Sequence, residues 1–147
     1  MCYVPIKSEE AQAVLTVHRA RTLLVSERTA LSNQVRGLLG EFGLVFAQGM
    51  SSLKKILVRI GGGDFALPSV ARETVGELHD RLRALDLSIA LYDRRIAHLA
   101  RQSEAAQRLM RIAGVGPLTA TAMVASVGNC EYRRGDGRTG QTDVGKA

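Results

Sequence analysis

Tryptophan is absent from the 147 residues and aromatic side chains make up only 4%, which argues against recognition of unpaired bases by aromatic stacking. The two cysteines, Cys2 and Cys130, sit near opposite ends. That excludes a disulfide framework and a cysteine-based zinc site. Proline occurs only at positions 5, 68 and 117, so long stretches run without a helix breaker. Long apolar runs are also missing. The apolar-leaning segment Leu118 to Val127 covers ten residues, too few to cross a bilayer. The opening MCYVPIKSEE lacks a signal-peptide core and its acids come early, so a cytoplasmic protein without membrane contact is expected.

What is present is a balanced globular composition, 46% hydrophobic and 23% charged, which disordered tails do not show. Charge is unevenly distributed. Residues 1–93 hold 11 Lys and Arg against 10 Asp and Glu, whereas residues 94–147 hold 9 against 4. Of the 20 basic residues 16 are Arg, whose planar fork matches phosphate oxygens in two-point contacts. A polyanionic partner for the last third is favoured, although a basic surface kept for solubility has the same composition.

Hydrophobic spacing predicts helices throughout. Ser8 is a good N-cap, with Glu9 and Glu10 placed favourably in the first turn. Val17, Leu24, Leu31 and Leu38 then recur every seven residues until Gly40 and Gly43, giving a helix over about 8–40. Arg21 and Arg28 interrupt the seam of this helix. Leu53, Ile56, Leu57 and Ile60 mark a short amphipathic helix over 52–60, ended by a Gly-Gly-Gly-Asp joint. From Pro68 the pattern strengthens. Val75, Leu82, Ile89 and Ile96 hold one heptad position, and Leu78, Leu85, Tyr92 and Leu99 hold the other. Four heptads without a miss predict a coiled-coil helix over 69–101, with Asp86, Asp93, Arg81 and Arg95 at flanking positions that select a partner. An antiparallel hairpin with the first helix and a parallel pairing with a second copy both remain open. The hairpin, itself taking part in self-association, is the preferred reading.

The segment LMRIAGVGPLTATAMV carries the chemistry. Leu109, Met110 and Ile112 give the apolar face of a short helix, Gly114-Val115-Gly116 a tight turn, and Pro117 the first position of the next helix, which Gly128 would cap. This spacing matches a helix-hairpin-helix at every diagnostic position. Glycines let a backbone approach a phosphate closely, Val115 would lock the hairpin from inside, and the small Ala120 would let the helices pack. Amides at Gly116, Leu118 and Thr119 would then face outward at a helix N-terminus, an anion site that reads backbone rather than bases. Arg108 and Arg111 would add charge. The DNA-contacting candidates are therefore Arg108, Arg111, Gly114, Val115, Gly116, Leu118 and Thr119. The plain alternative is an interhelical turn with no ligand.

Other constellations are weaker. His18, His79 and His98 have no second ligand at metal spacing and read as solvated or packed. Glu73, Glu77 and Asp80 share a helix face that reads as solvated. Ser126 has no adjacent base, and Met110 and Met123 read as core filling. No metal, cofactor or catalytic residue is assigned.

The stretches VPIKSEEAQAVLTVHRAR, RTALSNQVRGLLGEFG and LMRIAGVGPLTATAMVASVGN resemble the middle of a bacterial insertion-sequence transposase family. Its members join an N-terminal RuvC-like DEDD domain to a C-terminal serine-containing transposase domain, and bridge-RNA-guided recombinases belong to it. The resemblance implies a coiled coil between two domains and a hairpin that opens the second, with Gly114, Val115, Gly116 and Ala120 at motif positions. The family's catalytic acids and serine have no counterpart position here, and after Asn129 the sequence turns to CEYRRGDGRTGQTDVGKA, compositionally disordered as after a frameshift or early stop.

The expectation is an all-α chain: a coiled-coil region over 8–102, a helix-hairpin-helix over 103–128 and a loose tail over 129–147. Functionally it reads as a truncated transposase that binds DNA, with structured RNA as a further partner, and self-associates through its coiled coil, or joins a full-length transposase, without catalysis. The alternative is a coiled-coil interaction or regulatory protein acting on a full-length transposase.

Overall fold

The computed structural model describes residues 8–127. The Gly128 cap and the tail expected over 129–147 lie outside the described residues. The chain is all-α, in the order α1 (Glu9–Glu41), α2 (Met50–Gly61), α3 (Ser69–Gln102), α4 (Glu104–Leu109) and α5 (Pro117–Val127).

Local chemistry sets the boundaries. Ser8 Oγ accepts the Ala11 amide at 3.2 Å, which satisfies one of the orphan donors at the start of α1. At its end Leu44 N donates to Leu39 O at 3.0 Å and Gly43 N to Gly40 O at 2.9 Å. Gly43 has φ +74°, so this is a Schellman ending. The end of α2 repeats it, with Asp64 N on Arg59 O at 3.1 Å and Gly63 N on Ile60 O at 3.1 Å. The α2 helix begins two residues before the expected Ser52. Gly49 is its N-cap and gives no side-chain bond, so Ser51 and Ser52 fall inside the first turn.

Helices α1 and α3, of 33 and 34 residues, are each about 50 Å long at 1.5 Å per residue. Their orientation is fixed by two ion pairs. Arg21 Nε lies 2.5 Å from Asp93 Oδ1 and Arg28 Nη1 lies 3.2 Å from Asp86 Oδ1. Seven residues up one helix correspond to seven residues down the other, so the helices run antiparallel within one chain. The arginines that interrupt the first seam thus meet the aspartates placed at partner-selecting positions on the second.

The apolar core is at the bend. Val35 and Leu39 of α1, Leu53, Leu57 and Ile60 of α2, and Val75 and Leu82 of α3 form one buried cluster with Leu67. Along α3 the residues of the first heptad position, Val75, Leu82, Ile89 and Ile96, are all buried. Of the second position only Leu85 is buried, while Leu78, Tyr92 and Leu99 are half-buried. At the free ends of the hairpin α5 packs on both α1 and α3, and a smaller cluster joins α3, α4 and α5. Among the described residues no helix is long and apolar enough to cross a membrane.

Candidate nucleic-acid interface

Ser103 joins α3 to α4. Its amide donates to Leu99 O at 3.2 Å, which ends α3, and its Oγ accepts the Ala106 amide at 3.2 Å, which starts α4. The α4 helix is shorter than the apolar spacing predicts, because it ends at Leu109. Bonds between residues three apart continue the chain, with Arg111 N on Arg108 O at 3.2 Å and Ile112 N on Leu109 O at 3.0 Å. Val115 N then donates to Ile112 O at 3.1 Å, closing a turn with Gly114 at its third position. Gly114 has φ +86°, the value that a type II turn demands there and that favours glycine.

The interior of this turn is built from small residues. Ala100, Ala106 and Ala120, one from each of α3, α4 and α5, are fully buried, and Leu109, Met110, Val115 and Val124 pack around them. Val115 therefore points inward. Two expected core residues do not. Ile112 is 56% exposed and Met123 47% exposed. The turn at Gly114 carries Ile112 away from the α4 face, and Met123 lies on the side of α5 opposite the buried Ala120, Thr121 and Ala125.

The outer side of the turn is the N-terminus of α5. Gly116 O accepts the first helical bond, from Ala120 N at 3.0 Å, which puts Gly116 at the N-cap without a side chain to cap the helix. Pro117 follows and has no amide hydrogen. The amides of Gly116, Leu118 and Thr119 find no hydrogen-bond partner among the described residues. Leu118 and Thr119 are exposed and Gly116 is half-buried. A Cβ built on Gly116 meets nothing within 4 Å. Arg108 pairs with Glu104 on the α4 surface, whereas Arg111 is exposed and has no ion-pair partner among the described residues. Uncapped amides and a positive helix end together form an anion-binding geometry.

The remaining candidates stay apart from this site. Glu73, Glu77 and Asp80 are exposed, as are His98 and Ser126. Nothing in the residue spacing singles out Thr121. Its hydroxyl is buried and lies 3.0 Å from Nε2 of His18 on α1, because the helix period turns it toward α1 beside Ala120. Only a contact map between distant segments would have revealed that pair.

Sequence relatives agree in kind. A Pseudomonas aeruginosa protein named "Probable family 20 transposase" is 43% identical over 138 residues, 92% of this chain. The transposase for insertion sequence element IS1111A of Coxiella burnetii is 35% identical over 130 residues, 88% of this chain. The chain belongs to the insertion-sequence transposase family. It spans 41% and 36% of those two relatives' lengths. The transposase for element IS1328 of Yersinia enterocolitica is 30% identical over 129 residues, 88% of this chain and 38% of that relative's length. No protein-family profile matches the chain, and no solved structure matches it.

Proposed function

We propose that the turn between α4 and α5 is a helix-hairpin-helix that holds the sugar–phosphate backbone of DNA without reading its sequence, within a transposition or recombination apparatus. In this reading the described helices contribute DNA binding and self-association to a transposase. The observation that carries it is the N-terminus of α5. Gly116 and Pro117 leave the next two amides without an internal acceptor, and open space lies where a Gly116 side chain would be. Arg111, five residues before Gly116, supplies a guanidinium without an ion-pair partner among the described residues, and Arg108 a second that is shared with Glu104. Leu87 and Leu91, one turn apart and exposed on α3, supply apolar surface for self-association.

The test is duplex DNA binding by the full chain across a salt series, with Gly116→Val and Arg111→Gln alongside. Phosphate contact predicts affinity that falls steeply with salt. Gly116→Val should weaken binding at least tenfold while costing about 1 kcal/mol of stability at the N-cap, and Arg111→Gln should lower the salt slope by about 1. Affinity indifferent to Gly116→Val would assign the turn a purely structural role and favour the interaction-protein reading.

A further inference from the structure

A cleft of mixed polar and apolar lining lies where α1 passes the start of α2, with a volume of about 320 Å³. Ser32 beside it is about 20 Å along the α1 axis from His18, the residue that touches α5, so the cleft is separate from the α4–α5 turn. Its walls include Arg28, Thr29, Asn33 and Arg36 from one side of α1 and Gln48 and Gly49 from the loop before α2. None of the lining residues is a carboxylate.

Charge here is positive and incompletely matched. Asp86 is shared, with Lys54 Nζ at 2.6 Å and Arg28 Nη1 at 3.2 Å, so one carboxylate faces two cations. Arg28 Nε is enclosed and has no partner, the one such buried side-chain atom among the described residues. Arg36 has no carboxylate partner among the described residues. One arm of its fork, Nη2, donates to Gly49 O at 2.5 Å, and its guanidinium lies 5.4 Å over the Phe46 ring. The side chain is thereby held in place while the rest of its fork stays open. Ser32 is already occupied, its hydroxyl on Arg28 O at 2.6 Å and near Met50 Sδ at 3.1 Å. Beside these groups α2 begins without a side-chain cap and without an acid in its first turn, leaving a helix end uncompensated.

We propose that this cleft binds a phosphate group. Two guanidiniums, two carboxamides and an uncapped helix end line one space, whereas the Thr29 hydroxyl gives its proton to Val25 O at 2.9 Å. Such a lining suits an acceptor-rich anion, and guanidinium forks match phosphate oxygens. The volume exceeds that of a lone phosphate ion, so a phosphate carried on a larger body, such as a sugar, fits best. That group comes from a nucleic-acid strand or from a free phosphate compound. The inference does not rest on the α4–α5 reading.

The test follows backbone and arginine Nε–H NMR resonances of the full chain while inorganic phosphate, pyrophosphate or a short DNA duplex is titrated in at fixed ionic strength. Saturable shifts at Gly49 and at the Arg36 Nε–H are expected, at least tenfold weaker in affinity for Arg36→Gln and several-fold weaker for Asn33→Ala. Asn33 is exposed on α1, so that variant keeps the fold. Shifts with pyrophosphate identify a free phosphate compound as sufficient. Shifts with duplex alone, retained in Gly116→Val, identify a nucleic-acid strand held here independently of the turn. Either result supports the site. Absence of shifts with all three probes, or shifts unchanged in both cleft variants, would overturn it.

Discussion

His18 Nε2 lies 3.0 Å from Thr121 Oγ1 and ties α1 to α5 across 103 residues of sequence. The Thr121 hydroxyl donates its only proton to Pro117 O at 2.7 Å, so its oxygen accepts and His18 carries hydrogen on Nε2. Burial, and secondarily the neighbouring Arg21 charge, hold the His18 pKa below its ordinary value. The unfolded chain therefore binds the proton more readily, and stability is lost on acidification. Thermal unfolding should show a melting temperature that is level above about pH 6.5 and declines below it. His18→Gln should remove this component. Equal pH slopes for wild type and variant between pH 7 and pH 5 would refute the assignment.

Asp86 responds at lower pH. Burial alone pushes its carboxyl up, but the hydrogen bonds and charges of Lys54 and Arg28 outweigh this and hold it below the ordinary carboxylate range. A depressed folded pKa stabilises above the unfolded value, so this contribution is complete at neutral pH and disappears as pH falls below about 4. Asp86→Asn leaves Arg28, whose side chain is 30% exposed, without its carboxylate partner. A loss of about 1–2 kcal/mol at pH 7 is expected, between exposed and buried ion pairs. Denaturant unfolding at pH 7 and at pH 3 checks it, because the difference between the proteins should shrink at the lower pH.

Much of this architecture was legible in one dimension because helices advertise themselves locally. Ser8, Pro68 and Ser103 mark starts, Gly43 and Gly63 mark stops, and the heptads of α3 name its buried face. The choice between hairpin and parallel pairing was not legible, since Arg21 and Arg28 look like flaws in a seam until Asp93 and Asp86 stand opposite them. The same holds for the candidate sites. Inward Val115 and small Ala120 followed from spacing alone, but the outward turn of Ile112 depends on the backbone at Gly114. The cleft at Arg28 and Arg36 depends on where a loop 12 residues further on from Arg36, at Gln48, returns to α1.

Two leucines five residues apart on α3 separate core packing from surface. Leu82 is 2% exposed in the bend cluster, and Leu87 is 74% exposed. Leu82→Ala should cost about 2–5 kcal/mol through lost burial and the cavity left behind. Leu87→Ala should stay within about 0.5 kcal/mol in the isolated chain. If self-association uses the outer face of α3, Leu87→Ala lowers the oligomer fraction seen by sedimentation while leaving the melting curve at low protein concentration in place.

The two glycines of the turn should part company in the same way. At Gly114 a Cβ meets no atom within 4 Å, yet φ is +86°, so Gly114→Ala is penalised by backbone conformation alone, about 1–2 kcal/mol. Gly116 carries no such φ and its Cβ direction is open, so Gly116→Ala should cost only the preference of an N-cap for glycine over alanine, about 1 kcal/mol or less. Beyond that capping preference, nothing inside the described fold demands glycine at 116. A methyl group placed there obstructs only a body that approaches from outside, such as a phosphate on the α5 amides. Measured side by side, unfolding free energy should fall for Gly114→Ala and DNA affinity for Gly116→Ala. Unchanged affinity in Gly116→Ala, with a full salt slope, would place the DNA contact elsewhere on the chain.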